Sequence, residues 1–265
     1  MMQAKFNNAI DRWLSSHARG TARINKLLRG LWPIRLIQCE IDYGILLHLD
    51  PESYVDSICI DKGFYEKEVL NAIVADIQPD DVFWDIGANI GIMSIAVAKL
   101  YPTAQVVAFE CSPLTTHRLC VNISLNEAVI KVVNLALSDQ NRIATLSIRN
   151  VGNSGVSSLS PSMRASYENE VSVATLTGDS LIETNDVPPP THIKIDVEGH
   201  ELRVLKGLSK HLDSEYLRTI VFEANDPESY EELRRLLADK GFVIEAIPPR
   251  MTVSPTNFVA KRPKS

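Results

Sequence analysis

The segment 82–91 constrains the fold of this chain more than any other stretch. It is a short apolar run that ends in the carboxylate of Asp85 and is followed at once by Gly87 and Gly91. An apolar pattern with helical spacing continues directly from the second glycine. A buried strand, a glycine-containing turn and a helix in this order are typical of an α/β protein with a parallel sheet.

The turn is suited to a nucleotide-like ligand. Gly87 and Gly91 have no Cβ, so we expect the backbone to approach a ligand closely there. The helix that follows directs free N–H groups and its positive dipole end toward an anionic group. The spacing D-x-G-x-x-x-G lacks the G-x-G-x-x-G of dinucleotide binders, which disfavours a nicotinamide oxidoreductase and a ligand with a pyrophosphate.

Composition places the chain among ordinary globular proteins. Of its 265 residues, 45% are hydrophobic, which is enough for a full core, and the net charge of -6 argues against a nucleic-acid partner. The four cysteines form no C-x-x-C pair, which indicates reduced thiols. No apolar run resembles a signal peptide or has membrane-spanning length. We therefore expect a soluble cytoplasmic protein.

The N-terminal 35 residues differ in charge from the rest. They carry seven Lys or Arg side chains against one acid, Asp11, and residues 4–31 show a helical pattern with an apolar stripe. Two interpretations stay open. The helix touches a membrane surface or a partner protein, or it packs on the main domain or on a second subunit of a homodimer, which we favour.

Strands and helices alternate along most of the remaining chain. Residues 34–49 predict a hairpin, residues 66–77 a helix, and residues 150–160 a Ser- and Gly-rich loop that is a candidate lid. We expect a helical and hairpin extension over residues 1–80 and an α/β domain over residues 81–265. The predicted strands are 82–85, 105–110, 131–137, 192–197 and 219–223, separated by helices 90–100, 113–126, 201–212 and 229–240, with an antiparallel pair at 242–247 and 257–260.

Three of the predicted strands end in acids. Asp85 ends the first, Glu110 the second and Asp196 a later one. Ligands of such sheets bind beyond the carboxyl ends of the strands, and an acid placed like Glu110, 19 residues after Gly91, can accept two hydrogen bonds from a ribose diol. A single acid of this kind is as often a helix cap, but three at one predicted edge favour a ligand site.

These blocks resemble the FkbM family of S-adenosylmethionine-dependent methyltransferases. The likeness is carried by the D-I-G-A-N-I-G turn that begins at Asp85, by the pair Phe109 and Glu110, and by the K-I-D-V-E-G-H-E run that ends at Glu201. It covers residues 63–223 and continues more weakly to the C-terminus. The glycine turn alone marks class I methyltransferases in general, whereas the I-D-V-E-G-x-E block is more specific.

The resemblance implies a fold and a chemistry. The fold is the Rossmann-like class I methyltransferase fold, a mostly parallel seven-stranded sheet with helices on both faces. The cofactor is S-adenosylmethionine, and the reaction is O-methylation of a hydroxyl on a sugar, glycan or natural-product acceptor. The family's donor-binding positions correspond here to Asp85, Gly87, Asn89 and Gly91 beside the methionine part, Glu110 at the ribose, Ser138 and Asp139 at the adenine, and Asp196 near the sulfonium.

The catalytic base is expected among the residues that follow the later strand. Glu198 is our first choice, His200 the second, and Asp196 lies beside them in the sequence. The alternative for the acids is a structural role at a helix N-terminus, worth about 0.3–1 kcal/mol. Asp196, Glu198 and Glu223 could converge on Mg²⁺, but acids without fixed spacing are weak evidence, and we predict no metal.

Two departures from the family pattern limit the resemblance. The segment 176–181 carries extra residues where the family has T-L-D-S-L, and His200 occupies a position that the family leaves open. We predict an O-methyltransferase. An N-methyltransferase of small molecules and a non-catalytic scaffold with the same fold remain the alternatives.

Overall fold

The computed structural model describes residues 36–51, 53–148, 157–159, 169–224, 226–248 and 256–263. The predicted N-terminal helix and most of the candidate lid, residues 150–160, lie outside the described residues. The strands in chain order are β1 (Ile37–Ile41), β2 (Ile45–Leu49), β3 (Val82–Ile86), β4 (Gln105–Phe109), β5 (Ile130–Val133), β6 (Ala136–Leu137), β7 (Arg142–Ile148), β8 (Ser157–Ser158), β9 (Asn169–Leu176), β10 (His192–Ile195), β11 (Thr219–Ala224), β12 (Val243–Ala246) and β13 (Thr256–Lys261). The α-helices are α1 (Tyr54–Lys62), α2 (Lys67–Val74), α3 (Ile92–Leu100), α4 (Pro113–Leu125), α5 (Gly178–Glu183), α6 (Glu201–Lys206) and α7 (Pro227–Asp239).

A seven-stranded sheet with the order β12-β13-β11-β10-β3-β4-β5 forms the centre of the molecule. Its strands β11, β10, β3, β4 and β5 are parallel, and β13 runs antiparallel to both of its neighbours. The mostly parallel sheet and its C-terminal antiparallel pair are confirmed.

The strand order reverses between β3 and β10. From β3 the chain builds outward through β4 and β5, and it then returns to add β10 and β11 on the other side. The crevice beyond the carboxyl ends of β3 and β10 is therefore the topological switch point at which α/β sheets bind ligands. The parallel register places Lys194 directly beside Asp85 at this edge.

Helices cover both faces of the sheet, because successive residues of its buried strands point to opposite sides. Phe83 and Val106 face a core that also contains apolar residues of α2 and α3. Their neighbours Trp84 and Val107 face a second core with residues of α6 and α7. The prediction of a sheet covered on both faces is confirmed.

The N-terminal hairpin, β1 and β2, packs into the first of these cores. Its turn is at Asp42–Gly44, as predicted. The side-chain amide oxygens of Asn122 in α4 and of Asn126, the residue that follows this helix, accept hydrogen bonds from the backbone of β2, at 2.8 and 2.9 Å. The hairpin is thus tied to the α/β core, and the domain boundary at residue 80 stays a prediction.

One predicted strand divides into two. Residues 131–137 were expected to form a single strand, but the chain turns after Val133, and β6 leaves the central sheet to pair with β9. There β6, β9, β7 and β8 form a second, four-stranded sheet. The turn is held by the Asn134 side chain, whose amide donates to the Glu110 carbonyl at 2.7 Å.

Two further properties follow from the described residues. No helix among them is both long enough and apolar enough to cross a bilayer. The cysteines Cys39, Cys59, Cys111 and Cys120 are free thiols, as predicted.

Candidate active site

A cavity opens at the switch point and draws its walls from several strand ends. The turn after β3 contributes Gly87 and Asn89, and the end of β4 contributes Glu110. From β10, β11 and the turn after β10, the cavity is lined by Lys194, Asp196, Glu198, His200 and Glu223. Tyr65 and Glu66 line it from the segment before α2. Leu135, Ala136 and Leu137 line it from β6 and the residue before it.

Gly87 and Gly91 are required by the protein's own packing. Both have positive φ, +81° and +92°. A Cβ on Gly87 would lie 1.9 Å from the Asp196 carbonyl oxygen, and one on Gly91 would lie 2.5 Å from Leu119 Cδ1. These contacts alone account for the two glycines, and the expectation that they also let the backbone approach a ligand stays a prediction. Gly87 lines the cavity, whereas Gly91 does not.

The Glu110 carboxylate is built into the glycine turn. Its Oε2 accepts from the Asn89 N–H at 3.0 Å and its Oε1 from the Ser112 N–H at 2.8 Å. Burial raises the pKa of Glu110 to about 7, although the N–H groups of Ser112 and Asn89 oppose this. Each carboxylate oxygen keeps a lone pair. The two carboxylate oxygens can therefore accept one hydrogen bond each from the two hydroxyls of a ribose diol.

Asp85 does not line the cavity. It is fully buried, and the Ser94 hydroxyl donates to its Oδ2 at 2.6 Å. Lys194 Nζ lies 3.7 Å from Asp85 Oδ1 and 3.1 Å from Asp196 Oδ2. Burial lowers the pKa of Lys194, but Asp196 and Asp85 more than offset this and raise it above its usual value. Asp85 thus stabilises the charged form of Lys194, which in turn pairs with Asp196.

Lys194 was missed in the sequence analysis, and a signal for it existed. It is the one charged residue in the strand His192–Ile195, which is otherwise buried and apolar apart from its first residue. A lysine in such a strand needs a charged partner. The strand-end acids on either side supply it.

The turn between β10 and α6 presents Glu198 to the cavity. Glu198 and Gly199 both have positive φ, at 52° and 86°. The turn is held from inside by Glu201, whose Oε1 accepts from the N–H groups of Val197 and Gly199, each at 3.2 Å. Glu201 therefore has the structural role, whereas Glu198 lines the cavity together with Asp196.

His200 lines the cavity, and its side chain is held by polar contacts with the segment after β6. Its Nε2 lies 3.0 Å from the Ser138 hydroxyl, and that hydroxyl lies 3.1 Å from Asp139 Oδ1. Asp139 also pairs with Arg203 at 3.0 Å. Ser138 is 1% exposed, and neither it nor Asp139 lines the cavity. The role of these two residues at the adenine stays a prediction; Leu135 and the two residues after it are the part of this segment that lines the cavity.

Carboxyl groups from other elements also line the cavity, and they shift one another's ionisation. Burial raises the pKa of Glu223 well above its usual range, and Asp196, Glu198 and Glu66 raise it further. Glu66 is not among the predicted site residues, although it lies within the range 63–223 that resembles the family. Within the part of the chain that the structure describes, no group of three or more His, Cys, Asp or Glu residues could hold a metal ion.

Cys111 lines the cavity but is not a nucleophile. Burial raises the pKa of its thiol to about 12, and the adjacent Glu110 adds to this. Since the thiolate is the reactive form of cysteine, this thiol stays inert near neutral pH.

Fold and site together define a class I S-adenosylmethionine-dependent methyltransferase. The seven-stranded sheet is mostly parallel, and the Glu110 carboxylate lies beside a glycine turn at the switch point. The model of the methyltransferase FkbM domain matches residues 85–244. The chain belongs to the FkbM methyltransferase family, and its cofactor is S-adenosylmethionine.

Known proteins agree with this assignment. The hexuronic acid methyltransferase AglP of Haloferax volcanii is 30% identical over 174 residues, which cover 66% of this chain and 68% of that protein. The 31-O-demethyl-FK506 methyltransferase FkbM of Streptomyces tacrolimicus is 28% identical, over 64% of this chain and 76% of that protein. The crystal structure of methyltransferase FkbM from Methylobacillus flagellatus KT superimposes with a TM-score of 0.53 at 14% identity, over 78% of this chain and 52% of that one, and shows the same fold.

Proposed function

We propose that this protein transfers a methyl group from S-adenosylmethionine to a hydroxyl oxygen of a sugar, glycan or natural-product acceptor. One observation carries the proposal. The ribose-type carboxylate Glu110 shares a single cavity with two groups that can accept a hydroxyl proton, Glu198 and His200. The names of two relatives, a hexuronic acid methyltransferase and a 31-O-demethyl-FK506 methyltransferase, support hydroxyl-bearing acceptors.

The donor is held by residues of the turn after β3 and of the neighbouring strands. Glu110 accepts hydrogen bonds from the ribose hydroxyls. Gly87, Asn89 and Asp196 border the methionine part, and the carboxylate of Asp196 favours the positive charge of a sulfonium. The apolar wall at Leu135, Ala136 and Leu137 contacts the adenine ring, in place of Ser138 and Asp139.

The protein's contribution to the chemistry is alignment and proton removal. When bound, S-adenosylmethionine supplies an electrophilic methyl group on a positively charged sulfur. With the donor bound, the cavity walls would hold the acceptor oxygen facing the methyl group, at about 3–3.5 Å as a productive geometry requires. Glu198 or His200 takes the hydroxyl proton, an effect worth about 10²–10⁴-fold in rate. The hydroxyl proton then resides on the protein, which releases it to water.

The proposal is tested in two steps. Calorimetry with S-adenosylmethionine and with NAD comes first, and binding of NAD without a response to S-adenosylmethionine would overturn the assignment. The second step is a screen of hydroxylated acceptors with methyl-labelled donor, read by mass spectrometry. Each active acceptor is compared with its deoxy analogue and its amino analogue. Label on the oxygen supports the proposal, whereas label that persists in the deoxy compound or moves to nitrogen contradicts it.

A further inference from the structure

A chain of polar contacts runs from the protein surface to the cavity wall. The half-exposed guanidinium of Arg203 pairs with Asp139 Oδ2 at 3.0 Å. Asp139 Oδ1 lies 3.1 Å from the Ser138 hydroxyl, and this hydroxyl lies 3.0 Å from His200 Nε2. The chain ends at the imidazole of His200, which lines the cavity.

The Ser138 hydroxyl has a single proton for two neighbours. Asp139 is paired with Arg203, and its pKa is lowered: burial alone would raise it, but the Ser138 hydroxyl and Arg203 outweigh burial. An ionised carboxylate only accepts hydrogen bonds, so the hydroxyl donates to Asp139. The Ser138 oxygen then accepts a hydrogen bond from His200 Nε2, and this requires a proton on Nε2. The opposite arrangement would set lone pairs of Ser138 and Asp139 against each other.

The proton on Nε2 determines the state of the other ring nitrogen. Nδ1 of His200 forms no hydrogen bond with any residue that the structure describes, and this atom is not fully buried. In a neutral imidazole with Nε2 protonated, Nδ1 carries a lone pair and acts as an acceptor.

We propose that Ser138 and Asp139 are positioning residues that hold His200 in the Nε2–H tautomer, so that Nδ1 takes the proton of the acceptor hydroxyl. The inference rests on the proposed function for the source of that proton and selects His200 over Glu198 as the base. The O–H bond of the acceptor breaks as its oxygen bonds to the methyl carbon, the carbon–sulfur electron pair stays on sulfur, and the proton forms an N–H bond at Nδ1.

Two features of the surroundings support this arrangement. Burial lowers the pKa of His200 to about 4, and Arg203 and Arg142 lower it further while Asp139 opposes them, so the ring is neutral near pH 7. The position of Ser138 is constrained by Gly207, the residue that follows α6. A Cβ there would lie 1.9 Å from the Ser138 carbonyl oxygen, and the Ser138 N–H donates to the Leu176 carbonyl at 2.9 Å.

Asp139→Asn is the decisive variant, because Arg203 can only donate. Arg203 Nη1 contacts both oxygens of Asp139, Oδ2 at 3.0 Å and Oδ1 at 3.3 Å. We expect the amide oxygen to keep the shorter of these contacts, which turns the amide N–H₂ toward Ser138. The Ser138 hydroxyl then accepts from the amide and donates to His200 Nε2, so the proton of the neutral ring moves to Nδ1. A carboxylate-to-amide exchange behind a catalytic histidine is known to impose the wrong tautomer in this way.

The tautomer is read directly from long-range proton–nitrogen correlation spectra of protein with isotope-labelled histidine. The His200 signals are assigned by their loss in His200→Gln. We expect Nε2–H in the wild-type protein and Nδ1–H in Asp139→Asn. Nδ1–H in the wild type, or one tautomer in both proteins, overturns the inference. Asp213→Asn, which alters an exposed ion pair with Lys240, is the matched control and leaves the His200 signals unchanged.

Measurements of turnover and of donor binding distinguish a failure of this inference from a failure of the proposed function. With an acceptor found in the screen, Asp139→Asn is expected to lower kcat by about 10²–10⁴-fold and to leave the Kd of S-adenosylmethionine and the melting temperature unchanged. An unchanged kcat, or a loss in Glu198→Gln that exceeds the loss in His200→Gln, overturns the assignment of His200. Absence of donor binding in the wild-type protein contradicts the proposed function, whereas the tautomer is measured without any donor.

Discussion

The N–H of Asn89 donates to Glu110 Oε2 at 3.0 Å, and this bond joins the glycine turn after β3 to the acid that ends β4. Asn89 has a φ of 51°, a left-handed conformation that turns its N–H toward β4. The turn is fixed further by the Phe109 carbonyl, which accepts from the N–H groups of Gly87 and Ala88, each at 3.0 Å. These contacts hold the ends of β3 and β4 together at the proposed donor site.

Donor affinity is predicted to depend on the ionisation of Glu110. Its pKa is raised to about 7 by burial, so the carboxylate loses its charge as the pH falls through neutrality. The charged form is the stronger acceptor for ribose hydroxyls. We expect calorimetry to show tighter binding of S-adenosylmethionine above neutral pH than below it, and Glu110→Ala to weaken binding more than about tenfold at the higher pH.

The control for this prediction is Glu110→Gln. The amide keeps the size of the side chain and cannot ionise, so its donor affinity should be low and should lack the step near pH 7 that Glu110 produces. The same step in the variant would assign the titration to another group, and unchanged affinity would remove Glu110 from the ribose site.

Gly87 and Gly199 provide a matched test of close packing. Both have positive φ, but a Cβ on Gly87 would lie 1.9 Å from the Asp196 carbonyl oxygen, whereas nothing lies within 4 Å of one on Gly199. Gly199→Ala is expected to cost only backbone strain, about 1–2 kcal/mol. Gly87→Ala adds overpacking and should cost about 3 kcal/mol or more. Urea denaturation measures both, and equal losses would show that strain alone requires the glycine.

The sequence predicts much of this site because acids and glycines are placed by local pattern. The alternation of strands and helices predicts one sheet edge for Glu110 and Asp196, and both line the cavity. Gly87 also lines it, although its missing Cβ makes room for the Asp196 carbonyl.

Other parts of the site depend on tertiary contacts that no local pattern reveals. The resemblance implies a role for Ser138 and Asp139 at the adenine, and the local pattern predicts a single strand over residues 131–137. The turn after Val133 takes β6 out of the central sheet, and Ser138 is thereby brought behind His200. The role of Gly207 has the same origin, since the close approach of Ser138 arises only in the folded protein.

Acid sensitivity is predicted to arise in part from His192. This side chain is 1% exposed, and burial lowers its pKa to about 4, against the opposing effect of Asp81. The unfolded chain takes up the proton near its ordinary pKa of about 6.5. The unfolded state therefore binds more protons between these values, and the stability due to His192 is lost as the pH falls from about 6.5 to about 4.

The measurement compares His192→Gln with the wild-type protein. We expect the free energy of unfolding to fall less steeply over this pH range in the variant, since its side chain does not titrate. His117 is exposed, and His117→Gln should retain the wild-type slope. A parallel pH profile for His192→Gln and the wild type would assign the acid sensitivity elsewhere.

Lys194 is predicted to be the main electrostatic support of the buried Asp85. Its side chain is 8% exposed and lies between Asp85 and Asp196, at 3.7 and 3.1 Å. Lys194→Met leaves the carboxylate of Asp85 buried with the Ser94 hydroxyl as its hydrogen-bond donor, which should lower the free energy of unfolding by about 3–5 kcal/mol. Adding Asp85→Asn removes the uncompensated charge and should restore part of this loss.

Lys210→Met, which breaks an exposed pair with Glu183, is the control and should leave stability unchanged. A double variant as unstable as Lys194→Met alone would show that Lys194 acts through packing and not through its charge.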